Sequence, residues 1–266
     1  MDIKLRYAVA DDIPTLKNLW QICFGDRMRY INVFFEKMFI AENTVVAEVD
    51  NRVAGVVYIL ERTLLGKRFM YGYAIGVFPE YRGNSICDKM LNFIKNKAEK
   101  ENCIFGLHPA NDKLTEFYKR IGLDEMYFLK EVDASEFCSD AMYDLEEIDV
   151  DEFYNLRKMA FENCVEWNKD ALAYILENGE VVKKITLQQK ALYFVLSKQD
   201  STVLVKETNA TDDEIKDVST SIKRCFCAEN ITYLLSSEST LQGAIKPMVL
   251  GFSDKNPDVY MNLFLD

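Results

Sequence analysis

The sequence predicts an α/β fold, with a mixed α+β sheet flanked by helices, in two successive domains of one type. Three observations lead to this prediction. Residues 69–100 read as a strand, a tight turn and a helix. Residues 1–133 alternate strand and helix patterns, and residues 151–266 repeat most of that order. Such alternation is typical of helices packed on a sheet.

The first half predicts, in order, a strand, two helices, three strands, a helix, a strand, a helix and a strand. The first strand alternates apolar and polar residues, and Asp11 or Asp12 then caps a helix that Phe24-Gly25-Asp26 ends. The aromatic residues of the second helix recur at the spacing of a buried face. The later elements are predicted at residues 44–49, 53–60, 69–77, 86–100, 103–108, 111–123 and 126–132.

Composition limits the classes of function. The 266 residues carry a net charge of −11, which disfavours nucleic acid as a partner and suits a cationic amine. Without an apolar run long enough to span a bilayer, or a signal peptide, we expect no membrane partner. The seven cysteines form no Cys-x-x-Cys pair, and there is one histidine, so we predict no metal site and a cytoplasmic protein with reduced thiols.

The strand–turn–helix unit has the features of a phosphate site. Its strand breaks at Pro79, and the small residues of Arg82-Gly83-Asn84-Ser85 can make a tight turn into the helix. Such a turn brings unpaired backbone N–H groups and the positive end of a helix to one point. This geometry binds pyrophosphate.

This loop resembles the acyl-CoA loop of the GNAT (general N-acetyltransferase) superfamily, Val-x-Pro-x-Tyr-Arg-Gly-x-Gly-x-Gly/Ala. Five residues match in place: Val77, Pro79, Tyr81, Arg82 and Gly83. Ser85 replaces the second glycine, and Cys87 stands where Gly or Ala is usual. The resemblance implies acetyl-CoA as co-substrate, with no metal. The residues it assigns to binding are Ile75, Gly76, Val77, Arg82, Gly83, Asn84, Ser85, Ile86, Cys87 and Asn111.

A second motif follows at the spacing found in the superfamily. The helix ending Phe117-Tyr118-Lys119-Arg120-Ile121-Gly122-Leu123 is similar to the GNAT pattern that brings a tyrosine beside the thioester sulfur. The resemblance implies that Tyr118 protonates the leaving thiolate and that Asn111 touches the pantetheine arm. It also implies that an N–H near Val77 polarises the thioester carbonyl.

The general base is left open by the sequence. Many GNAT enzymes carry a glutamate on the strand before the loop, but Tyr71-Gly72-Tyr73-Ala74 contains no carboxylate. The candidates are His108, Glu207 and the C-terminal carboxylate of Asp266. A water chain without a dedicated residue is the remaining option.

We predict three segments: a GNAT domain at 1–133, an acidic connector at 134–150, and a degenerate GNAT-like domain at 151–266. The strand-to-helix join at 207–213 has no glycine and no basic residue, and it carries two acids where a phosphate would sit, so we expect no cofactor there. The organisation resembles tandem acetyltransferases of the enhanced-intracellular-survival type. From the 266 residues we expect no counterpart of the additional C-terminal lipid-carrier-like domain of that family.

These features favour an acetyl-CoA-dependent N-acyltransferase that acts on a primary amine, with the acceptor pocket expected between the two halves. The amine is predicted to be a small molecule that attacks the thioester directly. One alternative is a non-catalytic acyl-CoA-binding or interaction protein, because Ser85, Cys87 and the missing carboxylate depart from the active pattern. Another is an aminoacyl transferase of the peptidoglycan-bridge type, disfavoured by the lack of a basic face.

Overall fold

The computed structural model describes residues 2–161, 164–177 and 179–252. The described residues form two compact units, one of residues 2–126 and 249–252 and the other of residues 127–248. Each unit has its own hydrophobic core.

The first unit contains nine of the elements that its sequence predicts. They are β1 (Ile3–Tyr7), α1 (Ile13–Phe24), α2 (Met28–Lys37), β2 (Thr44–Val49), β3 (Arg52–Leu64), β4 (Lys67–Val77), α3 (Ile86–Glu101), β5 (Ile104–Leu107) and α4 (Asp112–Arg120). Strands β1 to β5 lie side by side in chain order, antiparallel except for the parallel pair β4–β5. The prediction of a mixed α/β sheet is confirmed.

Helices cover the sheet of the first unit. Helix α3 buries Ile86, Met90 and Ile94 in a core with residues of β2 and β3. Helices α1 and α2 bring Trp20 and Phe34 together, with ring centroids 4.7 Å apart, and both side chains are buried. These aromatic residues therefore pack as core, as their helical spacing predicts.

Strands β4 and β5 separate at the end of β4. Their parallel ladder runs from Phe69–Ile104 to Gly72–Leu107, where β5 ends, while β4 continues to Val77. The register between β3 and β4 shifts in this part of β4, where Ala74 has a φ of 44°. This irregularity is a β-bulge, a feature that locally disrupts the ladder and redirects a strand. The last residues of β4 thus extend beyond the β4–β5 ladder.

The second unit repeats the sheet order of the first. Its elements are β6 (Asp124–Asp133), β7 (Glu146–Glu147), α5 (Val150–Ala160), α6 (Lys169–Glu177), β8 (Val181–Leu187), β9 (Lys190–Gln199), β10 (Thr202–Thr208), α7 (Asp212–Cys225), β11 (Asn230–Ser236) and β12 (Ala244–Phe252). The antiparallel strands β8, β9 and β10 precede the parallel pair β10–β11, as β2, β3 and β4 precede β4–β5.

The domain boundaries differ from the predicted ones. Strand β6, which the sequence assigns to the first domain, pairs with β11 through residues 129–133. Residues 250–252 of β12 instead pair antiparallel with β5. The predicted connector is also part of the second unit, where Ala134 is buried and β7 pairs with β8. Periodicity identifies a strand but not the strand with which it pairs. The pairing of β6 with β11 and of β12 with β5 therefore could not be predicted from the sequence.

Strand β8 is absent from the sequence prediction. Its central residues Lys183 and Lys184 interrupt the apolar alternation that indicates a strand. In the structure their ammonium groups pair with acids of β7 and α5, namely Glu147, Glu146 and Glu152. The strand predicted at residues 259–265 lies outside the described residues.

Candidate active site

The loop between β4 and α3 has the tight turn that its composition predicts. A short 3₁₀ turn at Pro79–Tyr81 follows β4, and the chain then passes through Gly83, whose φ is +80°. Ser85 also lies in the left-handed region, with a φ of 55°. Glycine adopts this region at little cost, which explains why the GNAT loop pattern has a glycine at the position of Ser85. The Asn84 amide donates to the carbonyls of Tyr81, at 3.0 Å, and Arg82, at 3.2 Å.

Helix α3 starts directly after this turn. The first bond of the i to i−4 type runs from the Lys89 N–H to the carbonyl of Ser85, at 3.1 Å. The N–H groups of Ile86, Cys87 and Asp88 precede it and have no helical acceptor. These groups and the helix dipole give the start of the helix a partial positive charge, which favours an anion.

A cavity of about 310 Å³ lies against this helix start. It is lined by both sides of the loop, by the first turn of α3 and by one residue of α4. The lining residues are Val77, Tyr81, Arg82, Gly83, Ser85, Ile86, Cys87, Asp88 and Phe117. Seven of these nine belong to the continuous segment 81–88, so the predicted loop forms most of the cavity wall.

Tyr118 is placed on α4, directly after the cavity residue Phe117. Its side chain is only 6% exposed, and burial, followed by the neighbouring Cys87, raises the pKa of its phenol. Its hydroxyl forms no hydrogen bond with the residues that the structure describes. A tyrosine in this state is a neutral proton donor.

Residues 13–123 match the model of the acetyltransferase (GNAT) family. This part of the chain belongs to the GNAT family. The predicted family is thereby confirmed, and a GNAT domain of this kind makes the protein an N-acetyltransferase enzyme. No curated protein sequence matched the chain.

Solved structures of GNAT proteins resemble the chain over nearly its whole length. A GCN5-related N-acetyltransferase from Anabaena variabilis ATCC 29413 has a TM-score of 0.69 at 17% identity and covers 94% of this chain and 72% of its own. A probable N-acyltransferase from Enterococcus faecalis V583 has a TM-score of 0.72 at 11% identity, with the same coverage. Eis1 from Mycobacterium abscessus has a TM-score of 0.64 at 10% identity, covering 93% and 72%. At these identities the likeness shows the fold.

The other residues assigned to acetyl-CoA lie on β4, α3 and α4. Ile75, Gly76 and Val77 form the part of β4 that continues past β5. A Cβ on Gly76 would lie 2.6 Å from the Leu19 side chain, so any larger residue here would force Leu19 to move. Asn111 is the N-cap of α4, where its Oδ1 accepts from the Leu114 N–H at 3.1 Å. Its contact with a pantetheine arm stays a prediction.

Cys87 departs from the Gly or Ala of the GNAT pattern, yet the loop accommodates it. The side chain is half-buried against the core of the first unit. Burial, with a smaller contribution from Asp88, raises the pKa of its thiol to about 12. The thiol is therefore neutral near pH 7 and adds no negative charge to the cavity.

The three residues predicted as candidate bases differ in their positions and surroundings. His108 directly follows β5 and is half-buried, and its catalytic role stays a prediction. Asp266 lies outside the described residues. Glu207 is completely buried, 3.0 Å from the Arg157 Nε and 2.5 Å from the Tyr193 hydroxyl. Because its carboxylate is enclosed by these partners, Glu207 is not accessible to a substrate, and we withdraw it as a candidate base.

The predicted binding residues omit three residues of the cavity wall, Tyr81, Asp88 and Phe117, and also Cys23, which contacts two residues of that wall. Phe117 lines the cavity, and its position directly before Tyr118 was an available signal. Cys23, at the end of α1, contacts the loop residues Val77 and Arg82. No motif marks Cys23, because its contacts join segments more than 50 residues apart.

Within the described ranges we found no group of three or more His, Cys, Asp or Glu side chains that could hold a metal ion. None of the helices in those ranges is both long and apolar enough to cross a membrane.

Proposed function

We propose that the protein transfers an acetyl group from acetyl-CoA to the primary amine of a small molecule. The main support is the cavity at the start of α3, whose wall is the GNAT loop and whose α4 residue Phe117 adjoins Tyr118. The start of a helix, the backbone of a tight turn and the exposed guanidinium of Arg82 suit a pyrophosphate. Acetyl-CoA supplies the activated acyl group.

In this proposal the amine nitrogen attacks the thioester carbonyl carbon directly. An N–H near Val77 donates to the carbonyl oxygen as negative charge develops there. The C–N bond forms, the C–S bond breaks, and Tyr118 gives its phenol proton to the leaving sulfur. The amine's extra proton passes to water or to a base such as His108. A cytoplasmic location and a cationic amine stay predictions.

The direct test is release of free thiol from acetyl-CoA in the presence of a broad panel of small amines. We expect at least one amine to accelerate release, and the product to carry an added acetyl group by mass spectrometry. If acetyl-CoA binds but no amine accelerates release, the non-catalytic acyl-CoA-binding alternative is favoured. If acetyl-CoA does not bind at all, the proposed function is wrong.

A negative charge placed in the loop should weaken the binding of acetyl-CoA. Ser85→Asp puts a carboxylate at the cavity wall, where it repels the phosphates and neutralises part of the positive charge of the helix start. We expect the dissociation constant for acetyl-CoA, measured by calorimetry, to rise about ten-fold or more, and the effect to shrink with added salt.

Asn51→Asp is a matched control for this charge. Asn51 is exposed, has a φ of 59° close to the 55° of Ser85, and lies in the turn between β2 and β3. This variant should bind acetyl-CoA like the wild type. Equal affinity of Ser85→Asp and Asn51→Asp would show that the loop does not hold the phosphates.

A further inference from the structure

The last turn of α1 contacts the end of β4 through a thiol. The Cys23 Sγ donates to the carbonyl oxygen of Val77 at 3.5 Å. The same sulfur lies close to Gly76 of β4, since a Cβ on Gly76 would be 3.2 Å from it. Val77 is the last residue of β4 and lines the cavity. Cys23 is therefore packed against the strand end from which the loop begins.

Arg82 contacts both Cys23 and Val77. Its Nε donates to the same Val77 carbonyl at 3.0 Å, and its Nη2 lies 3.7 Å from the Cys23 Sγ. Two of the three guanidinium nitrogens thus face Cys23 and Val77. The third, Nη1, forms no hydrogen bond with the described part of the chain. Arg82 lines the cavity, and its Nη1 carries N–H donors that no described residue uses.

We propose that Cys23 is a positioning residue for the pyrophosphate of acetyl-CoA. Its thiol contacts the Val77 carbonyl oxygen and the Nη2 of Arg82. These contacts fix the guanidinium in an orientation that directs Nη1 toward the cavity. A guanidinium binds phosphate best when its planar fork is held in one orientation, since less side-chain entropy is lost on binding. This inference rests on the proposed function, because it assumes that the cavity takes acetyl-CoA.

The alternative is that Cys23 only fills space between α1 and β4. A packing role would weaken every ligand of the first unit alike, or lower stability alone. A positioning role through Arg82 acts on the pyrophosphate, so it should affect acetyl-CoA but not acetylpantetheine, which carries the same thioester without the pyrophosphate. The two ligands therefore separate the two roles.

The experiment measures the dissociation constants of acetyl-CoA and acetylpantetheine for the wild type, Cys23→Ala and Cys23→Ser. For Cys23→Ala we expect about a three- to ten-fold loss of affinity for acetyl-CoA, the size of one hydrogen bond. Affinity for acetylpantetheine should not change. Serine retains a hydroxyl donor and should restore part of the loss. In turnover, KM for acetyl-CoA should rise while kcat stays constant.

Cys103→Ala is the matched control. Cys103 is also half-buried in the first unit, and its Sγ donates to the carbonyl of Glu101 at 3.5 Å, the same length as the Cys23 bond. It does not line the cavity. This variant should bind both ligands like the wild type.

The binding results distinguish a failure of the positioning role of Cys23 from a failure of the proposed function. If the wild type binds acetyl-CoA and Cys23→Ala binds it equally well, the positioning role is wrong while the proposed function stands. An equal loss for acetylpantetheine would also overturn the inference, since it would indicate packing. If the wild type binds no acetyl-CoA, the proposed function itself fails.

Discussion

Replacing Glu207 with alanine should lower the free energy of unfolding of the second unit by about 3–5 kcal/mol. The Glu207 carboxylate is completely buried and accepts hydrogen bonds from the Arg157 Nε and the Tyr193 hydroxyl. Arg157 is 4% exposed, and its Nη1 also donates to the Val165 carbonyl at 2.7 Å. Removing the carboxylate leaves a buried guanidinium without its countercharge, which is the main cost.

The charge state of Arg157 supports this expectation. Burial disfavours the charged guanidinium, but the neighbouring groups together, Glu207 foremost among them, more than offset burial, so the pKa of Arg157 lies above its ordinary value. A guanidinium keeps its proton in proteins, so Arg157 stays charged when Glu207 is removed and cannot avoid the penalty by losing a proton.

Tryptophan fluorescence during urea unfolding can measure the effect in the second unit alone. The chain has two tryptophans, Trp20 in the first unit and Trp167, which is 2% exposed, in the second. In a Trp20→Phe background, the signal of Trp167 reports on the unit that contains Glu207. The Glu207→Ala variant should unfold at a clearly lower urea concentration in this background.

Two further variants test whether the unpaired charge of Arg157 causes the loss of stability in Glu207→Ala. Glu147→Ala removes an exposed partner of Lys183 and should hardly change the unfolding midpoint. The double variant Arg157→Met with Glu207→Leu removes both charges, so it should be more stable than Glu207→Ala. An unfolding curve of Glu207→Ala that overlays the wild type would show that this ion pair does not stabilise the unit.

Tyr118→Phe should lower kcat about 100-fold while leaving KM for acetyl-CoA unchanged. Phenylalanine retains the buried ring of Tyr118 and its contact with Phe117, whose centroid is 5.4 Å away. What is lost is the proton for the leaving thiolate, which is needed only in the transition state. The measurement is steady-state kinetics with the best amine of the panel, under conditions in which chemistry limits the rate.

The pH profile gives an independent check on the same role. Tyr118 must be protonated to act as the acid, and burial raises its pKa above the ordinary tyrosine value of about 10. The wild-type rate should therefore show no loss from this group up to about pH 10. A fall in kcat at lower pH that disappears in Tyr118→Phe would contradict the raised pKa.

Tyr127→Phe is the control for loss of a buried hydroxyl. Tyr127 is 2% exposed on β6, away from the cavity lining, and burial raises its pKa to about 12. Its replacement should leave kcat unchanged. If Tyr118→Phe behaves like this control, Tyr118 is a core residue and another group protonates the thiolate.

Local patterns were enough to predict the fold class and the loop. The order of the elements from β1 to α4 follows from periodicities and breaks within short segments, such as the end of α1 at Gly25. The loop at 82–87 was recognisable because its turn and helix start are adjacent in the chain. The segment that lines the cavity is therefore predictable from the sequence.

The sequence by itself determined the elements from β1 to α4, the tight turn between β4 and α3, and the family that residues 13–123 match. Only the tertiary structure decided that β12 pairs with β5, that Glu207 is enclosed by Arg157 and Tyr193, and that Cys23 meets Val77 and Arg82. The physical reason is sequence distance. Periodicity and turn chemistry act over a few residues, whereas these contacts join residues from 14 to 147 positions apart, and their energies depend on how distant segments pack.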